Sequence, residues 1–114
     1  MNSSIAIITK KISTSILIDD ILYLESDARK IVIVTLHGSY EMYGQIKNLS
    51  NLYDERFCIP MKNKPINIRN IKILTKYEVV FINDRVLYLS EKPYRILKKE
   101  FDNYLKETVD LFYV

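Results

Sequence analysis

The first half of the chain is a series of short β-branched runs, each cut off after a few residues by polar ones. Ser4–Thr9, Ser15–Ile18, Ile21–Glu25 and Lys30–Leu36 carry the isoleucines, valines and threonines that suit a pleated, half-buried surface. Asp19-Asp20, Ser26-Asp27-Ala28 and His37-Gly38 interrupt them as turns do, and Ser39–Tyr43 reads as the return strand of a hairpin. A chain that begins this way is mainly β.

The period changes after Gly44. Ile46, Leu49, Leu52 and Tyr53 fall on one helical face, with Lys47, Asn48, Ser50 and Asn51 on the others, which predicts a short amphipathic helix ended by Asp54-Glu55. Ile71–Leu74, Glu78–Ile82 and Val86–Leu89 are three further short strands, the last two joined as a hairpin across Asn83-Asp84. A second helix is expected to start at Pro93, a favoured first-turn position, and to dock on the sheets through Tyr94, Leu97, Phe101 and Leu105. There is no internal repeat and no linker. With 114 residues and 48% apolar content the expectation is one domain over 1–114, its core about 5–105. Met1–Ser3 and the last few residues are expected to fray, and the apolar end Leu111–Val114 to pack or mediate assembly.

Several classes are excluded. The N-terminus has no charged region ahead of a long apolar run, so it is not a signal peptide. No fully apolar run exceeds that of Ile31 to Val34, far short of a bilayer span, and no membrane partner is expected. A single cysteine, Cys58, rules out an internal disulfide and suits a reducing, cytoplasmic setting. Flanked by Phe57 and Ile59, it reads as a buried, inert thiol. The one histidine, His37, sits in a turn with no second histidine to build a metal site. Gly38 and Gly44 are the only glycines, so there is no glycine-rich phosphate loop. Nothing marks the chain as an enzyme, and no cofactor or metal is expected.

The charges are unevenly spread. From Arg56 to Lys76 there are six basic residues (Arg56, Lys62, Lys64, Arg69, Lys72, Lys76) and no acidic one, in a chain whose net charge is only +3. Asp19, Asp20, Glu25 and Asp27 sit together with no basic residue among them. A buried strand could not hide that many unpaired cations, whereas a surface that meets a polyanion would want them.

Taken in order, these segments resemble the LytTR domain, the DNA-binding output module of bacterial transcription regulators of two-component systems. Asp20-Ile21-Leu22-Tyr23-Leu24-Glu25-Ser26 is similar to the family's DI-x-Y-I-E-(S/A) strand, and Arg29-Lys30-Ile31-Val32-Ile33 to the loop and strand after it. Glu41-Met42-Tyr43-Gly44-Gln45-Ile46-Lys47-Asn48-Leu49 resembles the Y-G-x-L-K-x-L junction. Arg56-Phe57 through Ile66-Asn67-Ile68 resembles the RF-x-R-x-H-(R/K)-S-(Y/F)-(L/I)-V-N motif, and Leu87-Tyr88-Leu89-Ser90 the strand before a basic loop. Met61 stands in the place of the motif's histidine, Asn63 in that of its serine, and Lys64-Pro65 in that of its aromatic. Glu91-Lys92-Pro93 follows Ser90 where the family carries arginines. Family members usually carry a receiver domain ahead of this one, so the chain is expected to be stand-alone or excised.

The resemblance implies an elongated stack of small antiparallel sheets with two short helices, and loops that reach successive major grooves of double-stranded DNA. Three loops are the candidates. In Asp27-Ala28-Arg29-Lys30, Arg29 could fork onto guanine or grip a phosphate, with a solvated hairpin tip as the equal alternative. In Lys62-Asn63-Lys64, Lys62 falls on a base-reading position, Asn63 could pair with adenine, and Lys64 suits a phosphate. Pro60 and Pro65 bracket and stiffen this loop. In Ser90-Glu91-Lys92, Lys92 takes the family's basic position and Glu91 would repel phosphate. Asn67 is expected to satisfy backbone groups. Tyr43, Tyr77, Tyr88 and Tyr94 are read as core and edge aromatics, and Lys98 and Lys99 as a solvated helix face. The partners implied are DNA with repeated half-sites, a homodimer or second copy on it, and a partner regulator. A LytTR-like module that pairs with another regulator, and a single-stranded nucleic-acid binder of OB type, are the competing readings.

Overall fold

Short runs joined by tight turns tend to pair with their neighbours in sequence, and six of the nine consecutive strand pairs do so here. The computed structural model describes residues 4–110; Met1–Ser3 and the apolar end Leu111–Val114 lie outside the described residues. The strands are β1 (Ser4–Ile8), β2 (Ser13–Leu17), β3 (Ile21–Asp27), β4 (Lys30–Thr35), β5 (Gly38–Tyr43), β6 (Phe57–Cys58), β7 (Ile66–Asn67), β8 (Ile71–Thr75), β9 (Glu78–Phe81) and β10 (Val86–Tyr88), and the helix α1 spans Glu91–Thr108. They form three antiparallel sheets: β1-β2, β5-β4-β3-β7-β6 and β10-β9-β8.

The five-stranded sheet is the middle layer. Along β4, Ile31 and Ile33 face one core while Val32 and Val34 face the other, the period-two alternation of a strand covered on both sides. One core joins that sheet to the β1-β2 hairpin through Ile7, Ile16, Ile18, Ile46 and Leu52. The other joins it to β8-β9-β10 and α1 through Phe81, Val79, Leu87, Leu97 and Phe101. Stacking three small sheets draws the molecule out to 52 × 27 × 25 Å, the elongated form that was expected.

β3 also serves both cores, and it carries a bulge. Its register against β4 shifts between Ile21 and Tyr23, so Leu22 is the extra residue, and four consecutive side chains from Ile21 to Leu24 are buried. The Ile21 carbonyl then accepts from two buried amides, Asn67 Nδ2 at 3.0 Å and Asn70 Nδ2 at 2.9 Å. Asn67 Oδ1 also accepts from the Arg69 N–H, so Asn67 has the structural role expected of it.

Two local expectations change, and a third is narrowed. Ile46–Leu52 is a 3-10 segment broken at Leu49 (φ −102°, ψ 18°), because seven residues with no side-chain cap cannot sustain an α-helix. α1 begins at Glu91 rather than Pro93, with Ser90 as its N-cap; proline is tolerated in the first turn, whose N–H groups have no helical acceptor. Tyr43 and Tyr88 are exposed on the edge strands β5 and β10, edge aromatics and not core ones, while the buried tyrosine is Tyr23, stacked on Phe81 at 5.6 Å. Tyr77 and Tyr94 pack edge to face at 5.5 Å, as edge aromatics should. The separate sheets do not close into a barrel, which sets aside the OB-type reading.

Candidate nucleic-acid interface

Two of the three predicted loops leave the same end of the middle sheet. The β3-β4 hairpin turns over Ala28-Arg29, with Ala28 at φ 56°, the positive φ that tight hairpins use. The Gly44 N–H donates to the Arg29 carbonyl at 3.0 Å and holds the tip against the end of β5. Gly44 itself sits at φ +147° with Ile31 Cδ1 3.4 Å from where a Cβ would stand, so a side chain there would be strained and crowded. The Arg29 side chain projects into solvent.

The second loop runs from Ile59 to Pro65. Tyr23 lies opposite Ile66, antiparallel, so the residues before Ile66 run along β3 toward the Arg29 tip. Both prolines are buried, and the Pro65 carbonyl accepts from the Leu24 N–H at 3.0 Å. The Lys64 N–H donates to the Met61 carbonyl at 3.1 Å, which closes a β-turn and puts Lys62 and Asn63 at its two corners, both exposed. Met61, in the place of the resembling motif's histidine, is exposed beside them.

The cations at this end are not equivalent. Lys64 Nζ lies 3.6 Å from Glu25 Oε2, and Lys30 Nζ lies 3.4 Å from Glu41 Oε2 and 5.7 Å from the Tyr43 ring centre. Arg29 and Lys62 have no ion-pair partner among the described residues. The structure therefore brings Arg29, Lys30, Lys62, Asn63 and Lys64 to one end, with two carboxylates holding two of the lysines.

Ser90 and Lys92 are elsewhere, on the unit made by the three-stranded sheet and α1. Leu89 N–H donates to the Tyr77 carbonyl at 2.9 Å, which fixes this loop beside the β8-β9 turn. Ser90 caps α1 by backbone alone, so its hydroxyl is not spent on the helix. Glu91 Oε1 lies 3.6 Å from Arg95 one turn on, which offsets the repulsion expected of it, and Lys92 is exposed. Lys98 pairs with Asp102 at 2.8 Å on the solvated face.

The sequence-level separation of charge is largely undone by folding. Arg56 is buried: its guanidinium meets Asp54 Oδ2 at 2.6 Å and Asp19 Oδ1 at 2.8 Å. Arg69 pairs with Glu55 at 3.7 Å and Lys72 with Asp84 at 2.9 Å. Of the six cations between Arg56 and Lys76, only Lys62 and Lys76 lack a carboxylate partner among the described residues. Sequence reasoning also gave no role to Lys10 and Lys11, an adjacent pair in the β1-β2 turn whose signal was two cations in a polar break.

Cys58 is buried, and burial, then the charge of Glu100, pushes its thiol up to about 12, so thiolate is scarce at neutral pH. His37 is exposed, with Nε2 3.7 Å from Asp20. Among the described residues no cluster of His, Cys, Asp or Glu could hold a metal ion, and no helix is long and apolar enough to cross a membrane.

A family model described as the LytTr DNA-binding domain matches residues 11–102. Among solved structures, the LytTr DNA-binding domain of a methyl-accepting/DNA response regulator from Bacillus cereus is similar, with a TM-score of 0.71 over 88% of this chain and 97% of that one. The two share 14% sequence identity, so the likeness is one of fold. No curated protein matches the chain.

Proposed function

The chain belongs to the LytTR family of DNA-binding domains, and on that premise we propose that it reads double-stranded DNA sequence-specifically, by placing β-sheet loops in successive major grooves. The family is one of DNA-binding modules of transcription regulators, so double-stranded DNA is the partner. The observation that carries the finer reading is the shared end of the middle sheet, where Arg29, Lys62 and Asn63 project while neighbouring lysines are tied to carboxylates. Arg29 and Lys62 suit guanine edges and Asn63 an adenine edge in the major groove. Lys30 and Lys64 suit phosphates, and Ser90 and Lys92 supply a second contact from the α1 unit. The whole chain, 1–114, acts as one domain in the cytoplasm, on repeated half-sites occupied by two copies. Three to five phosphate contacts give a salt slope of about −3 to −4, modest for one copy, which is why a second copy is needed for useful specificity.

Selection of bound duplexes from a random pool tests this reading. A recovered motif, repeated at a fixed spacing, is the expected result. Arg29→Ala and Lys62→Ala should each change the preferred base at one position, by about 1–3 kcal/mol of discrimination. Lys64→Ala should instead weaken all sequences alike and lower the salt slope by about one. An unchanged preference in both Arg29→Ala and Lys62→Ala would remove these loops from the base-reading role.

Glu25 adds a distinct expectation. Its carboxylate neutralises Lys64 at the DNA-facing end, and the pair is partly exposed. Glu25→Gln should tighten binding to every duplex about two- to fivefold, the size of a surface pair of about 0.5–1 kcal/mol. Titration of one labelled duplex with both proteins checks it; equal affinities would mean that Glu25 does not face the DNA.

A second reading is a LytTR module that pairs with another regulator. Ile73, Val86 and Tyr88 are exposed on the three-stranded sheet, an apolar stripe that such a partner would cover. A random pool that returned unenriched would favour it.

A further inference from the structure

We propose that the β1-β2 turn forms, with Lys30 and Tyr43, a second anion-binding groove that grips the phosphate backbone of DNA flanking the base pairs read by the loops. The inference rests on the DNA reading above and extends it to a hairpin to which neither the resemblance nor the spacing assigned a role. The groove is lined by Lys10, Lys11 and Lys30 on its charged side, and by Met42 and Tyr43. Glu41 is the one carboxylate of that lining, and it is already paired with Lys30.

The turn is built to hold its lysines in place. The Thr9 N–H donates to the Ile12 carbonyl at 2.8 Å. Thr9 Oγ1 accepts from the backbone N–H groups of Lys11 and Ile12 at 3.2 and 3.1 Å. Ile7 and Ile16 anchor the strands below it in the core. Lys10 and Lys11 are exposed, and neither has an ion-pair partner among the described residues. Tyr43 is 76% exposed, so its hydroxyl is free to donate to a phosphate oxygen.

The groove is continuous with the proposed loop interface. Lys30 lies opposite Tyr43 in the β4-β5 register, and Arg29 precedes it at the hairpin tip. A chain of cations thus runs from Lys10 and Lys11 through Lys30 and Arg29 toward Lys62. All of these side chains stand in or near water, where salt screens each single contact. A small anion would gain little there. A polymer with regularly spaced phosphates sums the contacts and releases counterions at each, which makes the DNA backbone the occupant that fits.

The test uses the whole chain with Lys10→Gln and Lys11→Gln combined, which removes charge but keeps polar, flexible side chains. Binding is measured against salt on two duplexes, one limited to the selected motif and one extended by flanking base pairs. The expected result is a slope on the extended duplex shallower by about two, with the preferred sequence unchanged. On the short duplex the variant and the parent should agree. Lys10→Glu with Lys11→Glu should enlarge the loss on the extended duplex alone, at an unchanged thermal midpoint. If the parent binds both duplexes and the glutamine variant keeps the parent's slope on the extended one, the groove does not hold DNA, while the loop reading stands. A parent that binds no duplex overturns the loop reading and this inference together.

Discussion

Phe81→Ala is expected to cost about 3–5 kcal/mol of unfolding free energy, the range for deleting a large ring from a sealed core. Phe81 is fully buried and stacks on Tyr23 at 5.6 Å, with the two rings 22° from parallel. Tyr23 belongs to the middle sheet and Phe81 to β9, so this contact clamps the α1 unit to the sheet that carries Arg29 and Lys62. Around it, Arg85 Nε donates to the Tyr23 hydroxyl at 3.3 Å and Asn83 Nδ2 to the Leu36 carbonyl at 3.4 Å, polar contacts across the same junction. For a domain of this size the loss takes a large share of the total stability. Denaturant melts of Phe81→Ala and Phe81→Leu measure it, with leucine recovering much of the volume. In the leucine variant, the DNA contacts proposed for Ser90 and Lys92 should weaken before those proposed for Arg29 and Lys62, because only the former ride on the α1 unit. A melt within 1 kcal/mol of the parent for Phe81→Ala would mean that the two units are not joined through this ring.

Arg56→Met should cost about 3 kcal/mol. The guanidinium is buried, and its loss strands the Asp54 carboxylate, whose side chain is only 22% exposed. Asp19 is 75% exposed and can return to water, which keeps the effect at the lower end for a broken buried pair. Adding Asp54→Asn to Arg56→Met should restore part of the loss, since asparagine keeps the acceptor for the Arg56 N–H at 2.9 Å but carries no charge. The same pair makes stability depend on pH. The hydrogen bonds from Arg56 hold the Asp54 carboxyl down at about 2, below the ordinary value near 3.9. A carboxylate held low in the folded state binds fewer protons there than in the unfolded chain. Its contribution is therefore complete above about pH 5 and drains away as the pH falls toward 2. Melts between pH 6 and 2 should show this loss in the parent and a flatter curve in Arg56→Met; parallel curves would remove the pair as its source.

Elements defined by local periodicity were readable from residue order. The runs at Ile21 and Lys30, the Asn83-Asp84 hairpin and the Tyr94–Leu105 stripe all reappear, within a few residues at their ends. The bulge at Leu22 was not readable, because a bulge depends on what the partner strand offers. The 3-10 form of Ile46–Leu52 was hidden because its apolar spacing also fits one face of an α-helix, and residue order does not show that seven uncapped residues fail to hold that form. Residue order marks Tyr43 and Tyr88 as core and edge aromatics without a choice between the two; the sheet order puts both on edge strands, with their rings in solvent.

The candidate site divides the same way. Residue order alone placed Arg29 in a hairpin tip and Lys62-Asn63 between two stiffening prolines, since turn chemistry and proline geometry are local properties. It also left the cations from Arg56 to Lys76 looking free and the acids from Asp19 to Asp27 looking isolated. Tertiary structure decided otherwise. Pairing β3 with β7 puts Glu25 beside Lys64, and the same packing joins Asp19 to Arg56, two contacts between residues far apart in sequence. Which charges remain for a partner is fixed by strand adjacency: an ion pair needs a few ångströms of separation, and only the folded sheet order determines which side chains come that close.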